Sequence, residues 1–280
     1  SPGQGLQPNR LKDLIGRRLP MAKAKGDVFF PSDLETPAAI PRTYRFNQPF
    51  GLPVRYHDIK VFSKVSNLDL VEIHLSYKDL EVNLDQVIPG RQGIGLVVHA
   101  PELFAGDHTL DLCTAEADYR QHSIMELQRV IDISRDLKGR FQCPEPVLLV
   151  TNVGGFSEHH HLGKSEREPL RQRLIESLQQ LNTAGEVEII PQTMPPFPWH
   201  FGGQRFHNLF VDTDFIREFC EEQGMRVCLD VSHSKLACNH LHIPFSQFLN
   251  QILPFTAHLH LADAKDVDGE GLQIQEGEID

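Results

Sequence analysis

From Leu52 onward the chain alternates two textures. Short runs rich in β-branched and apolar residues occur at 54–57, 70–75, 95–99, 147–151, 187–191, 227–230 and 257–261. In such runs successive side chains point to opposite faces, so residues two apart share a face. Glu72 and His74 therefore oppose Val71, Ile73 and Leu75. Cys228 and Asp230 share a face, and His258 and His260 oppose Leu259 and Leu261. Between the runs lie stretches of helical period. Residues 119–137 place Ile124, Leu127, Val130 and Ile131 on one side; 165–181 does the same with Leu170, Leu174, Leu178 and Leu181. A third helix is predicted at 215–220, stopped by Gly224, and a fourth at 245–252 around Phe248, Leu249 and Ile252. Strands alternating with amphipathic helices argue for a parallel sheet of βαβ units. Units in this number predict an α/β fold of the (β/α)8 TIM type over residues 54–280. The chain reaches Gly277-Glu278-Ile279-Asp280 before an eighth unit, so the barrel is expected to lack its last one.

Residues 1–34 read differently. A short helix is predicted over 9–15, then a hairpin over 17–30 turning at Lys25-Gly26-Asp27. Thirty-four residues cannot bury a core of their own, so this is an appendage. Pro37, Pro41, Pro49 and Pro53 mark residues 35–53 as a linker.

Charge and composition narrow the function. A net charge of −11 over 280 residues gives no electrostatic footprint for nucleic acid. Five cysteines, scattered and without a Cys-x-x-Cys, suggest neither a disulfide framework nor a thiolate zinc site. No apolar run approaches the roughly 20 residues needed to span a bilayer, and the first residues lack a signal-peptide core. A cytoplasmic protein without membrane partners is expected, and a homo-oligomer is compatible with the sequence.

The chemistry sits at the predicted strand ends. In a parallel barrel, functional groups gather where the strands finish. Strand one offers Arg55 and His57, strand two Glu72 and His74, strand three His99 and strand four Asn152. Gln192, Asp230 with His233, and His260 follow around the ring. A carboxylate with imidazoles suits Mn, Fe, Co or Zn. The alternative is that these groups are satisfied by loops, and Glu72 could simply be a buried partner for Arg55 or His57.

Val-Val-His99-Ala-Pro, Asp230-Val-Ser-His233 and His260-Leu-Ala-Asp263, in this order, resemble the xylose-isomerase-like barrel superfamily. That superfamily holds sugar and sugar-phosphate isomerases and epimerases, some dehydratases and endonuclease IV-type repair enzymes. The resemblance covers residues 52–280. It implies that Asp230 and His260 are metal ligands, with His233 a ligand or substrate contact, and a divalent ion (Mn, Zn, Co or Mg). Two departures weaken this site. Gln192 stands where the family has a glutamate that binds metal and moves protons; its amide oxygen is a weak candidate metal ligand, but an amide cannot shuttle a proton. The glutamate of strand eight lies outside this sequence. Glu72 and His99 are the remaining candidates for proton transfer, while His57, His74, Asn152 and Trp199 are candidate substrate contacts.

Pro2-Gly-Gln-Gly5-Leu-Gln-Pro8, Leu14-Ile-Gly16-Arg-Arg and Lys25-Gly26-Asp27 are similar to the second half of the antifreeze-like (SAF) domain of sialic acid synthases. Ser1 stands where an arginine commonly precedes the Pro-Gly. Together the two resemblances imply a sialic-acid-synthase-type barrel in the same polypeptide.

Three weaker signals accompany these. The loop from Met194 to Gln204 holds Phe197, Trp199 and Phe201, which suit either the apolar face of a sugar or a rigid prolyl loop. His159-His160-His161 reads as a metal cluster or as solvated histidines. Gly154-Gly155 with Ser157 could cradle a phosphate. The leading expectation is a sugar or sugar-phosphate isomerase/epimerase using a weakly bound divalent ion. A non-catalytic sugar-binding or regulatory barrel with a degenerate metal site is the alternative, and an endonuclease IV-type nuclease the least supported.

Overall fold

The structure is a computed structural model that describes all residues except 1–5, 7–9, 18, 20, 35–42, 60, 63–65, 144, 198–204 and 280. The chain divides into two compact units, residues 1–45 with 61–67 and residues 46–60 with 68–280.

In the smaller unit a single helical turn, Leu11–Leu14, falls within the predicted helix. The turn at 24–27 forms: Asp27 N–H donates to Ala24 O, and Gly26 takes φ +101°. Among the described residues of 17–30 the expected hairpin has no strand, and those flanking the turn are largely exposed with no apolar face to pair and bury. Lys23 instead pairs with the buried Asp33 at 2.8 Å. Asn67 exchanges side-chain hydrogen bonds with the backbone of Tyr44, at 2.7 and 2.8 Å.

The larger unit is the barrel-like fold, built on strands β1 (Gly51–Val54), β2 (Leu70–His74), β3 (Gly95–His99), β4 (Val147–Thr151), β5 (Val187–Pro191), β6 (Val227–Asp230) and β7 (Thr256–His260). The first five pair in sequence order, all parallel. β6 pairs parallel with β7, and a bridge between Gln192 and Cys228 joins the two sheets. Among the described residues β1 and β7 are not paired with each other. Helices α1 (Ala117–Lys138), α2 (Lys164–Leu178), α3 (Thr213–Gln223), α4 (Val231–Leu241) and α5 (Phe245–Ile252) lie between the later strands. The stripe Ile124, Leu127, Val130 and Ile131 is buried as its spacing requires. Gly224 ends α3 in the left-handed conformation, φ 62°, which glycine enters without steric cost.

Two details shift the site. β1 ends at Val54 rather than at 57, because Arg55 and Asp58 close a turn: Arg55 N–H donates to Asp58 Oδ2 and Asp58 N–H to Arg55 O, both at 3.0 Å. α4 was not predicted; Asp230 caps it, its Oδ1 accepting from His233 N–H at 2.9 Å.

The inner face of the sheet carries an apolar layer of Val97, Val150, Ile190 and Cys228, with Leu70, Leu148 and Ala257 against it. Above that layer, toward the carboxyl ends, the inward positions turn polar.

Candidate active site

Strand register decides which polar groups meet. His74 lies opposite His99 across β2 and β3, Cys228 opposite His258, and Asp230 opposite His260 across β6 and β7. Curvature of the sheet then brings β2 within reach of β7. Glu72 Oε2 accepts from His258 Nε2 at 2.6 Å and from His260 Nε2 at 2.8 Å. Its other oxygen, Oε1, lies 2.6 Å from His74 Nε2 but outside hydrogen-bond geometry, so this buried atom has no hydrogen-bond partner. Burial alone would raise the Glu72 carboxyl, but the three imidazoles hold it far below the usual carboxylate range. Glu72 is therefore ionised and is not the partner of Arg55 or His57.

The imidazole of His260 spans two carboxylates. Its Nε2 faces Glu72 and its Nδ1 lies 3.3 Å from Asp230 Oδ2. Burial disfavours its charge, yet Asp230, Cys228 and Glu72 together raise its pKa strongly. Asp230 is pulled down in return by the charge of His233 and the hydrogen bond to His260, against the opposing effect of burial. Gln192 Nε2 sits in the middle, 3.0 Å from Asp230 Oδ2, 3.2 Å from His260 Nδ1 and 3.4 Å from His233 Nδ1.

His99 differs from its neighbours. Burial first, and the nearby His74 second, push it down to about 4, so it is neutral at physiological pH. Its Nδ1 bonds Ala100 O at 2.8 Å, and its ring stacks on His74 with centroids 4.5 Å apart. His233 is the opposite case: burial lowers it, but Asp230 and Glu270 carry it up to about 9. Its Nδ1 donates to Thr193 O at 2.9 Å and its Nε2 to Glu270 Oε1 at 3.0 Å.

Glu270 was missed by the sequence reading. It belongs to a hairpin, Asp263–Lys265 with Gly269–Leu272, that follows β7. Gly271 N–H donates to Ser232 Oγ at 2.9 Å and docks the hairpin on the start of α4. Asp263 pins its far side by accepting from the N–H groups of Ala264, Gln275, Gly277 and Ile279, at 2.8 to 3.0 Å. Gly277 is required there, since a Cβ would come within 2.3 Å of Ala264 O and Asp263 Oδ1. In the His260-Leu-Ala-Asp263 motif, then, the aspartate is a loop anchor.

The structure thus brings Glu72, His74, His99, Gln192, Asp230, His233 and His260 into one cluster, and adds His258 and Glu270. It leaves others outside. His57 is on the β1 turn with its side chain 81% exposed, beside Asp58 at 3.4 Å. Asn152 is buried, and its Oδ1 accepts from Gly154 N–H at 2.9 Å. Trp199 lies outside the described residues. The amide of Gly155 donates to Asp111 Oδ1 at 3.0 Å, so the two glycines present no free N–H pair for a phosphate. His161 packs its ring against His240, 4.5 Å away, and Phe206, while His160 pairs with Glu166; the triple histidine does not gather as a metal cluster.

The residues meet the requirement for a divalent ion unevenly. Asp230 Oδ2 and His260 Nδ1 are separated by 3.3 Å, close to the roughly 3.4 Å between neighbouring ligands on one tetrahedral ion with bonds of about 2.1 Å. Gln192, however, presents an amide nitrogen to that pair, and both nitrogens of His233 donate elsewhere. Among the described residues one group combines a buried carboxylate with two imidazoles: Glu72, His258 and His260, whose ligand atoms lie within 4.8 Å of one another.

Comparison with known proteins agrees with this architecture. The profile of the xylose isomerase-like TIM barrel family matches residues 67–280. The chain belongs to this family. Among solved structures it is similar to a D-tagatose 3-epimerase-like protein, with a TM-score of 0.55, 18% identity and 82% of each chain covered. It is also similar to the 3-keto-D-glucoside 4-epimerase YcjR from E. coli, with a TM-score of 0.52, 12% identity, and 76% of this chain and 78% of that one covered. At such identities the likeness shows the xylose isomerase-like fold and leaves the substrate open. No curated protein matches the sequence. No helix among the described residues is long and apolar enough to cross a membrane.

Proposed function

We propose that this barrel binds a sugar or sugar phosphate at the carboxyl ends of its strands and acts as an isomerase or epimerase, removing a proton next to the carbonyl and returning it to the adjacent carbon or to the opposite face of the same one. The observation that carries the reading is the single polar cluster of Glu72, His74, His99, Asp230 and His260 above an otherwise apolar interior. Sugar epimerases among the fold's neighbours support the substrate class.

The residues divide the work by their charge. His99 is neutral, with its Nδ1 bonded to Ala100 O and its Nε2 3.2 Å from Gln192 Oε1, so Nε2 takes a substrate proton once the substrate displaces that amide. His74, stacked on it and partly open to solvent, is placed to hold a sugar hydroxyl. Glu72 is held too strongly as a carboxylate to be a good base; it helps keep His260 charged and orients the rings of His258 and His260 instead. Both ring nitrogens of His233 are committed, to Thr193 O and Glu270 Oε1, so in this charged pair the Glu270 carboxylate is the group left to accept from sugar hydroxyls. A divalent ion, when bound, supplies Lewis-acid stabilisation of charge developing on sugar oxygens. The groups able to hold it meet at His260, with Asp230 on Nδ1 and Glu72 with His258 on Nε2. We place the barrel in sialic-acid-like sugar biosynthesis, beside a synthase-type barrel in the same polypeptide, on the SAF-like motifs of residues 1–34.

Gln192 favours a second reading, a sugar-binding or regulatory barrel that does not turn over, because its amide fills the centre of the cluster without a proton to give. Incubation in D2O with D-tagatose, D-fructose and their phosphates, with Mn2+ or Co2+ present, separates the two. Deuterium incorporated next to the carbonyl, and lost in His99→Gln, supports the enzyme. Saturation-transfer binding without incorporation supports the binding module. Neither binding nor exchange overturns both.

A further inference from the structure

His260 has two nitrogens and two carboxylates, and an ion can be taken on either side. On the Nδ1 side stand Asp230, the Gln192 amide nitrogen and His233, whose Nδ1 already donates to Thr193 O. That side offers one anionic oxygen. On the Nε2 side stand the buried carboxylate of Glu72 and a second imidazole, His258 Nε2, 2.6 and 2.8 Å from the shared oxygen. Glu72 Oε1 lies on this side too, in ion-pair contact with His74 Nε2 at 2.6 Å but without a hydrogen bond in good geometry.

We propose that the chain binds a tetrahedral transition-metal ion, Zn2+ or Co2+ in character, on Glu72 and the Nε2 atoms of His258 and His260, between β2 and β7. Three arguments converge. One carboxylate with two imidazoles is a donor set that zinc uses in catalytic sites, with the fourth position open. The present separations of 2.6 and 2.8 Å are those of groups sharing protons. Ligands on one tetrahedral ion stand about 3.4 Å apart at bond lengths near 2.1 Å, so an ion replacing those protons requires His258 to retreat by about 0.8 Å and His260 by about 0.6 Å. Finally, with the ion on Nε2, the Nδ1–H of His260 points at Asp230 Oδ2, 3.3 Å away. A metal-bound imidazole donating its other N–H to a carboxylate is the usual way such a ligand is oriented and made more basic. Asp230 is then the positioning residue of this site.

The position lies one layer deeper than the pair of Asp230 and Gln192, and His258 is the residue that tells the two apart. The inference deepens the proposed function by naming its ion site, but its test reads metal and not turnover. The full chain, stripped with EDTA, is titrated with Zn2+ by calorimetry and with Co2+ by its visible spectrum, and zinc absorption fine structure counts the imidazoles. One ion per chain is expected, with tetrahedral cobalt bands and two imidazoles on zinc. His258→Gln weakens binding by more than a hundredfold, while Gln192→Ala changes it less than threefold. Circular dichroism confirms the fold of both variants, and the imidazole count on the unmodified chain needs no variant at all. Failure to bind an equivalent of Zn2+ or Co2+ overturns the proposal. So does a bound ion with a single imidazole that survives His258→Gln. Binding as described without sugar exchange would contradict the isomerase reading and leave this site standing.

Discussion

Replacing Glu72 by glutamine removes the charge on which three histidines converge. In the native chain Glu72 Oε2 accepts from His258 and His260 at 2.6 and 2.8 Å, and the residue is 4% exposed. At 2.8 Å and an effective dielectric constant of about 20, the attraction to one imidazolium is about 6 kcal/mol before desolvation is counted. Breaking a buried pair from one side costs about 3–5 kcal/mol, because the remaining charge is stranded. His260 keeps Asp230 on its other nitrogen, so the lower figure applies, about 3 kcal/mol. Urea unfolding at pH 7, followed by far-ultraviolet circular dichroism, measures it. The pH dependence fixes the sign. The folded pKa of Glu72 is depressed, so its contribution is complete above the unfolded glutamate value of about 4.3 and is lost as pH falls below it. The gap between native and Glu72→Gln chains should therefore be full at pH 7 and narrow from about pH 4 downward. A variant within about 1 kcal/mol of native at pH 7 would show that His258 and His260 do not depend on that charge.

Other expectations follow from the same geometry. His99 should stay neutral in an NMR titration down to about pH 4. Because the unfolded residue protonates near 6.5, stability falls as pH drops below that value, by about 3 kcal/mol at pH 4 from this group alone; an ordinary titration near 6.5 in the folded chain would contradict it. Asp263→Ala should speed hydrogen exchange at the amides of Gln275, Gly277 and Ile279, which its carboxylate now holds; unchanged protection would mean the loop is anchored by something else. Gln192→Glu places a second carboxylate 3.0 Å from Asp230 and should raise affinity for the hard ion Mn2+ at least tenfold by calorimetry, with Asp230→Ala abolishing the gain. No gain would show that the Nδ1 side of His260 is closed to metal for reasons other than charge.

The barrel was legible because its strands and helices carry their own period. Alternation along β2 and β7 put Glu72, His74, His258 and His260 on the inner face before any contact was known, and the structure places them there. What could not be read was who meets whom across the barrel. Glu72 and His258 are 186 positions apart, and no local pattern links them. Glu270 escaped for a related reason: it sits between two glycines in a polar hairpin with no strand period, and only docking on Ser232 brings it to His233. α4 was missed because Ser232, His233, Ser234, Leu236, Ala237 and Cys238 are all buried, so the segment has no apolar stripe to announce a helix. His57 was misplaced because a turn closed by Arg55 and Asp58 ends β1 three residues early.

On the proposed function a sugar lies against the histidine cluster at the strand ends, and a crystal structure of the full chain soaked with D-tagatose or D-fructose shows whether it does. The expected result is a sugar with hydroxyls within hydrogen-bond distance of His74, of His99 Nε2 in place of the Gln192 amide, and of Glu270. A sugar bound elsewhere, or a cluster left without sugar at saturating concentration, would contradict it.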